Sequence, residues 1–175
     1  MTPLLKWPGG KARLSGVIWE LLQTGLSAPP TLYLEPFFGG GGAFLGRPEG
    51  LRSVVSDTNE RLVHFHTTVQ LQLEPFLEVL DVYREIGRGD YARIRTDFNR
   101  AGATGVEQAV RLLWLNKMGY NGLYRENRRG DYNVPVGTGS ALPTEAAVRA
   151  YAQQLQGTTI LALPFSAILA SAGPG

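Results

Sequence analysis

Four consecutive glycines, Gly39 to Gly42, stand between two short β-favouring runs, Thr31-Leu32-Tyr33-Leu34-Glu35-Pro36-Phe37 and Arg52-Ser53-Val54-Val55-Ser56-Asp57. A glycine run cannot extend a strand with any strength, so the chain must turn there. The apolar stretch Gly41 to Leu45 then reads as a short helix, giving strand, glycine turn, helix, strand. That order is a βαβ unit, and it predicts an α/β layer with a parallel sheet.

The remaining segments hang on this unit. Glycine and proline clusters at Pro8-Gly9-Gly10, Pro29-Pro30, Pro135 to Gly139 and Gly173-Pro174-Gly175 mark further boundaries. Leu62, Phe65, Val69 and Leu73 predict a helix over 59–73, and Phe76, Leu77, Leu80 and Tyr83 another over 75–86. A third is expected from a capping box at Thr104-Gly105-Val106-Glu107, running to a stop at Gly119. Arg128-Arg129-Gly130, flanked by 122–125 and 131–136, predicts a hairpin. A fourth helix is capped by Thr144 and ended by Gly157, and Thr158 to Leu163 returns to strand character. The expected architecture is an α/β layer at both ends, 1–57 and 145–175, with a mainly helical insertion over 58–144 that bears the hairpin. The chain has no internal repeat and no low-complexity segment.

Composition excludes several classes. Among 175 residues, 43% hydrophobic, Lys+Arg 17 against Asp+Glu 15 leaves a net charge of +2, which fits a folded domain and not a disordered one. No apolar run approaches the roughly 20 residues of a membrane span. Without cysteine there is no disulfide, thiolate zinc site or thiol nucleophile. The N-terminus lacks the apolar core of a secretory signal, so a cytoplasmic location is expected. The net charge is too small to argue for nucleic acid, so that argument must rest on where the basic residues sit.

Three segments can carry chemistry. A glycine turn after a strand lets backbone N–H groups approach a nucleotide-like ligand, and Asp57 at the end of the second strand stands where ribose hydroxyls need an acceptor. A nicotinamide fingerprint is disfavoured, because the place of its third glycine holds Phe44 or Leu45, according to which glycine starts the count. The plainer reading is that the glycines only turn the chain and that Asp57 caps the next helix. Leu5-Lys6-Trp7-Pro8-Gly9-Gly10-Lys11 could set an ammonium against a carboxylate or phosphate and stack an indole on a flat ring; it could equally be a solvated turn. The stretch from Asn116 to Pro135 interleaves tyrosines and asparagines with four basic and two acidic residues between Lys117 and Asp131. Arginine can bind guanine, asparagine can pair with adenine and tyrosine can wedge between bases, unless the hairpin merely faces water.

Together these segments resemble the DNA adenine-N6 methyltransferases of the GATC-methylase type. Leu5 to Lys11 is similar to that family's N-terminal cofactor motif, Glu35 to Leu45 to its glycine motif, and Ser56-Asp57-Thr58-Asn59 to its acidic second-strand motif. Asn116 to Gly122, with Leu123, Arg125, Asn127, Gly130 and Asn133-Val134-Pro135, resembles its target-recognition hairpin. The resemblance implies a Rossmann-like sheet, incomplete here, binding S-adenosylmethionine (SAM) through 1–57 and 145–175, and a target-recognition insertion over 58–144. It implies methyl transfer to N6 of adenine in double-stranded DNA by a monomer, with no membrane partner and no metal. The implied cofactor residues are Trp7, Lys11, Glu35, Phe37, Gly39, Gly41 and Asp57, with Lys11 at the donor's carboxylate end and Asp57 on its ribose. The implied DNA residues are Lys6, Tyr120 as the wedge, Asn121, Leu123, Arg125 as the guanine reader, and Arg128 and Arg129 on phosphates. An enzyme acting on a base must extrude it, and an intercalating ring helps offset that cost.

One family feature is absent. The Asp-Pro-Pro-Tyr motif, whose acceptors hold the adenine amine and whose ring stacks on the base, does not occur in the sequence; the only adjacent prolines are Pro29-Pro30, between Ala28 and Thr31. No catalytic residue is therefore named. The motif is expected just past Gly175, which would make the chain an N-terminal portion with Ile160, Leu161, Leu163 and Phe165 exposed. The alternative function is a DNA- or SAM-binding fragment without catalysis; a nicotinamide oxidoreductase is the third reading. His64 and His66, two apart on a helix, cannot share a metal and are expected to be surface or packing residues. Phe65, Phe76, Tyr83 and Trp114 are expected in the core.

Overall fold

The structure, a computed structural model, describes residues 2–171; the Gly173-Pro174-Gly175 cluster lies outside them. Three parallel strands form the sheet in the order β1 (Leu32–Glu35), β2 (Arg52–Ser56), β3 (Thr158–Leu161). Leu34 pairs with Val54 and Val55 with Ile160, so the two βαβ ends of the chain meet on the central strand β2. Between β1 and β2 the helical residues contract to one short 3₁₀ turn, Phe44–Gly46.

Among the described residues there are seven α-helices: α1 (Ser15–Thr24), α2 (Glu60–Leu71), α3 (Leu73–Arg84), α4 (Tyr91–Arg100), α5 (Val106–Met118), α6 (Glu145–Leu155) and α7 (Phe165–Ser171). Asn59 caps α2, its side chain accepting from Leu62 N at 3.0 Å. Thr144 caps α6, accepting from Ala147 N at 3.2 Å. Both supply a donor-starved first turn with an acceptor. The chain breaks at Gln72 and restarts at Leu73, two residues before the expected start. Pro75 is tolerated because first-turn N–H groups have no intrahelical partner. The capping box at Thr104 does not form: Gly105, at φ +80°, occupies the cap position without a side-chain bond. Glu107 instead pairs with Arg111 at 2.8 Å and accepts from the Tyr83 hydroxyl at 3.1 Å.

Helix α5 is the axis of the helical part, packed against α2, α3 and α4. Leu112 to Leu115 are all buried, as an apolar run that covers every helix face requires. Phe65, Phe76, Tyr83 and Trp114 lie in the same core cluster as Leu4, Val55 and Tyr151, so sheet and helices share one apolar interior. Helix α1 was not anticipated because its periodicity points outward: only Trp19 is buried, while Leu14, Val17 and Leu21 are exposed. Leu163 and Phe165 are exposed and Ile160 and Leu161 half-buried. No helix among the described residues is long and apolar enough to cross a membrane.

The predicted hairpin is irregular. Two isolated antiparallel bridges, Gly119 with Val136 and Glu126 with Tyr132, replace a continuous ladder. The side chains of Arg128 and Arg129 protrude from a turn whose inner face is held by Asn127: its Oδ1 accepts from Arg129 N at 2.8 Å and Asp131 N at 3.1 Å. An asparagine that satisfies the turn amides itself leaves few backbone groups for cross-strand pairing.

Candidate functional site

The end of β1, the glycine turn and the N-terminal arm enclose a cavity of about 380 Å³ lined by Trp7, Lys11, Glu35, Phe37, Gly39 and Asp57, among others. Six of the seven cofactor residues named from the sequence thus meet in one place. Gly41 lies behind the wall: at φ +75°, it has the Tyr151 hydroxyl 2.8 Å from where a Cβ would stand. Gly42 does more than the sequence suggested. A Cβ there would come within 2.8 Å of Ala12 N and 3.0 Å of Lys11 N, so its bareness lets the N-terminal arm close over the turn.

The carboxylates are differently employed. Asp57 accepts from Gly39 N at 2.9 Å through one oxygen and from Asn59 N at 3.0 Å through the other, tying the glycine turn to the start of α2. Glu35 accepts from the Tyr33 hydroxyl at 2.5 Å. Burial, opposed by that hydrogen bond and assisted by the charge of Asp57, raises its pKa to about 7. A cation entering the cavity would restore the ionised form. Lys11 Nζ donates to Gly9 O at 2.6 Å and is exposed, leaving its other protons at the cavity mouth. Phe37, 71% exposed, stacks on Phe165 at 5.5 Å.

His66 is neither at the surface nor merely packed. It is buried, with Nε2 2.8 Å from Gly39 O and Nδ1 3.1 Å from the Tyr151 hydroxyl. His64 bonds Gly105 O at 2.9 Å through Nε2, and no group of metal-ligating side chains occurs among the described residues.

The second segment begins where α5 ends. Asn116, buried at the end of that helix, accepts from Lys6 N at 2.8 Å and donates to both Lys6 O and Gly122 O at 2.8 Å. Its one side chain thereby joins the N-terminal arm to the turn Tyr120–Gly122. Trp7 continues the junction by packing on Tyr124 at 5.0 Å between ring centroids. Asn116 opens the stretch that resembles the recognition hairpin and closes the apolar run Leu112 to Leu115, but nothing in the sequence pointed to its bonds with Lys6.

Beyond this junction the side chains reach solvent. Lys6, Tyr120, Asn121, Leu123 and Arg128 are exposed, with Asn121 in the left-handed region at φ +53°. Arg125 donates through Nε to Asn133 Oδ1 at 2.7 Å and through Nη2 to Asn133 O at 3.2 Å, so its guanidinium is braced from behind. Arg129, with its side chain 85% exposed, has only a 3.6 Å approach to Asp131. Lys117, on the last turn of α5, is half-buried, and burial followed by the charge of Lys6 lowers its pKa. The cavity and the basic turn are therefore neighbours, joined through Asn116.

Comparison with known proteins agrees in kind. The family described as D12 class N6 adenine-specific DNA methyltransferase matches residues 7–174. The type II methyltransferase M.MjaIII of Methanocaldococcus jannaschii is 34% identical over 149 residues, 77% of this chain and 52% of the relative. The retron Ec67 DNA adenine methylase of Escherichia coli is 32% identical over 174 residues, 97% of this chain and 59% of the relative. The DNA adenine methylase of Escherichia coli K12 is 34% identical over 136 residues, 76% of this chain and 46% of the relative. The chain spans about half the length of the curated relatives it matches.

Proposed function

Because the chain belongs to the D12 class of N6 adenine-specific DNA methyltransferases, we propose that its cavity binds S-adenosylmethionine and that its basic turn holds double-stranded DNA for methylation of adenine N6. The observation that carries this reading is the Asn116 junction, which fixes Lys6 of the cavity's own arm against Gly122 of the turn. A donor and a nucleic acid bound at these two places would be neighbours, as group transfer between them requires.

The cavity's chemistry suits the donor. A volume of about 380 Å³ is of the size that small-molecule ligands occupy. Asp57 offers acceptors to ribose hydroxyls, Trp7 and Phe37 offer faces to a purine, Lys11 can meet a carboxylate, and Glu35 can meet an ammonium. Bound there, S-adenosylmethionine supplies an electrophilic methyl group on its sulfonium. The protein's own contribution is to orient that ligand and to bring the base to it.

On the DNA side, the exposed ring of Tyr120 would wedge into the stack where the adenine leaves, with Lys6 lying against Gly122 of the same turn. Asn121, Leu123 and Arg125 face the base edges, with Arg125 the guanine reader because Asn133 holds its planar fork in one orientation. Arg128 and Arg129 meet phosphates. The target-recognition unit is the segment 58–144, and the donor-binding unit the rest. Asp-Pro-Pro-Tyr is not among the residues of this sequence, so orientation of the target amine is assigned to none of its side chains.

The test measures binding and transfer separately. The chain is titrated with S-adenosylhomocysteine and with an adenine-containing duplex by calorimetry and anisotropy, and labelled methyl transfer is followed in parallel. Saturable binding of both ligands, with nucleoside binding weakened by Asp57→Ala and DNA binding by Tyr120→Ala, supports the reading. Nicotinamide dinucleotide binding in place of the methyl donor, indifferent to Tyr120 and Arg125, would replace it with the oxidoreductase.

A further inference from the structure

The glycine turn forms one wall of the cavity, yet a turn of four glycines has little conformational preference of its own. Gly39 sits at φ +52°, and both of its polar backbone groups are held by side chains from elsewhere. Its N–H donates to Asp57 Oδ2 at 2.9 Å, and its carbonyl lies 2.8 Å from His66 Nε2. A carbonyl can only accept, so Nε2 carries the ring proton. In the neutral ring Nδ1 is then an acceptor, and the Tyr151 hydroxyl at 3.1 Å is its donor. The hydrogen bonds run in one direction, from α6 through α2 to the glycine turn.

We infer that His66, oriented by Tyr151, is a positioning residue for the methyl donor, its ring N–H holding the Gly39 carbonyl so that the glycine turn presents one fixed wall before the ligand arrives. This rests on reading the cavity as the donor site. Packing alone does not account for the residue. His66 lies against Phe38 at 4.6 Å and Phe65 at 5.2 Å between ring centroids, where a phenylalanine would fill the same space without a buried polar atom to satisfy.

The ring also keeps one hydrogen-bonding state. The titratable groups around it are Asp57 from the end of β2, Tyr151 from α6 and Glu35 from β1, the last acting on Tyr151. Burial outweighs the Gly39 carbonyl and Asp57 and lowers the His66 pKa to about 4, so the ring is neutral and single-tautomer throughout the neutral range.

The experiment titrates S-adenosylhomocysteine into the whole chain and into His66→Phe, His66→Gln and Tyr151→Phe, with thermal unfolding as the control. Removing the donor while keeping the ring should weaken binding roughly 10- to 100-fold in His66→Phe, and Tyr151→Phe should fall between it and the wild type. Glutamine, whose amide N–H can reach the same carbonyl, should recover most of the affinity. Wild-type binding by His66→Phe, or a glutamine variant as weak as the phenylalanine one at equal stability, overturns the inference. Should His66→Phe fail to fold, the ring is read directly by nitrogen NMR. A non-titrating Nε2–H tautomer from about pH 5.5 to 8, with an Nε2 shift that changes on ligand binding, is expected. An Nδ1–H tautomer, or ring signals indifferent to the ligand, overturns it. A wild-type chain that binds no nucleoside overturns the donor reading and this inference with it, whereas the other failures leave the donor reading standing.

Discussion

The cavity and the basic turn are built on opposite plans. Around the cavity, Asp57 from the end of β2 and His66 of α2 converge on Gly39, gripping its N–H and its carbonyl, and Tyr151 of α6 bonds the far nitrogen of His66. At the tip of the turn the bonds are local, as where Asn127 serves Arg129 and Asp131, and Arg128 and Arg129 are exposed. A small rigid ligand rewards a preformed wall, since ordering the wall after binding would cost affinity. A duplex that must be bent open rewards protruding side chains on a firm base. Asn116 is where the plans meet, so the two can be broken together or apart.

The largest effect should come from breaking both. Asn116→Leu leaves Lys6 N, Lys6 O and Gly122 O without their partner, and losses of about 2–4 kcal/mol in unfolding free energy are expected from urea titration. Nucleoside and duplex affinity should fall together. A variant that loses only one would mean that the arm and the turn are held independently. Next comes damage confined to the cavity. Gly42→Ala sets a methyl 2.8 Å from Ala12 N, and backbone cannot rotate out of the way, so a cost of up to about 3 kcal/mol is expected. Duplex binding per folded molecule should be nearly unchanged.

The same contrast explains what could be read in the sequence. The parallel βαβ order was legible because strands and glycines are local signals, and the six cavity residues were named because the motifs that contain them resemble those of a known family. His66 and Tyr151 were not, since they are 85 residues apart and each looks like ordinary helix content. The capping box failed for a related reason: Gly105 takes the cap position at φ +80° and Glu107 finds Arg111 and Tyr83, a tertiary choice that the four-residue pattern does not contain. In the turn, side-chain types suggested recognition, but Asn127 captures the backbone amides that a regular hairpin would have paired.

A pH titration probes the cavity plan with a smaller effect. The Glu35 carboxyl has its native pKa raised to about 7, against an ordinary value of 4.5. Between those values the native state retains a proton that the unfolded chain has lost. The associated stability is present in full below the lower value and declines as pH rises through the upper one. Urea midpoints measured from pH 5 to 8 should therefore show a decline, worth about 1–2 kcal/mol, that Glu35→Gln abolishes. Donor binding should show the opposite sign, strengthening as pH rises through neutrality, because an ammonium prefers the ionised carboxylate. A flat binding profile would mean that Glu35 does not face the ligand's charge.

The smallest effects on the fold, and the sharpest separation of the two plans, belong to Arg125 and Arg129. Both are exposed, so alanine at either should leave stability within about 0.5 kcal/mol. Their DNA effects should differ in kind. Arg125 is braced by Asn133 through two hydrogen bonds, and a guanidinium held in one plane can read one base edge. Arg125→Ala should cost roughly 1–3 kcal/mol on the cognate duplex, with discrimination lost at one base pair. Arg129 lacks such a brace, its nearest charge being Asp131 at 3.6 Å, so it can follow a phosphate but not select a base. Arg129→Ala should weaken all duplexes alike and reduce the slope of log affinity against log salt by about 1. Competition binding with cognate and scrambled duplexes at several salt concentrations measures both. Equal losses on the two duplexes for Arg125→Ala would mean that the brace from Asn133 supports a phosphate contact and that the base is read elsewhere on the turn.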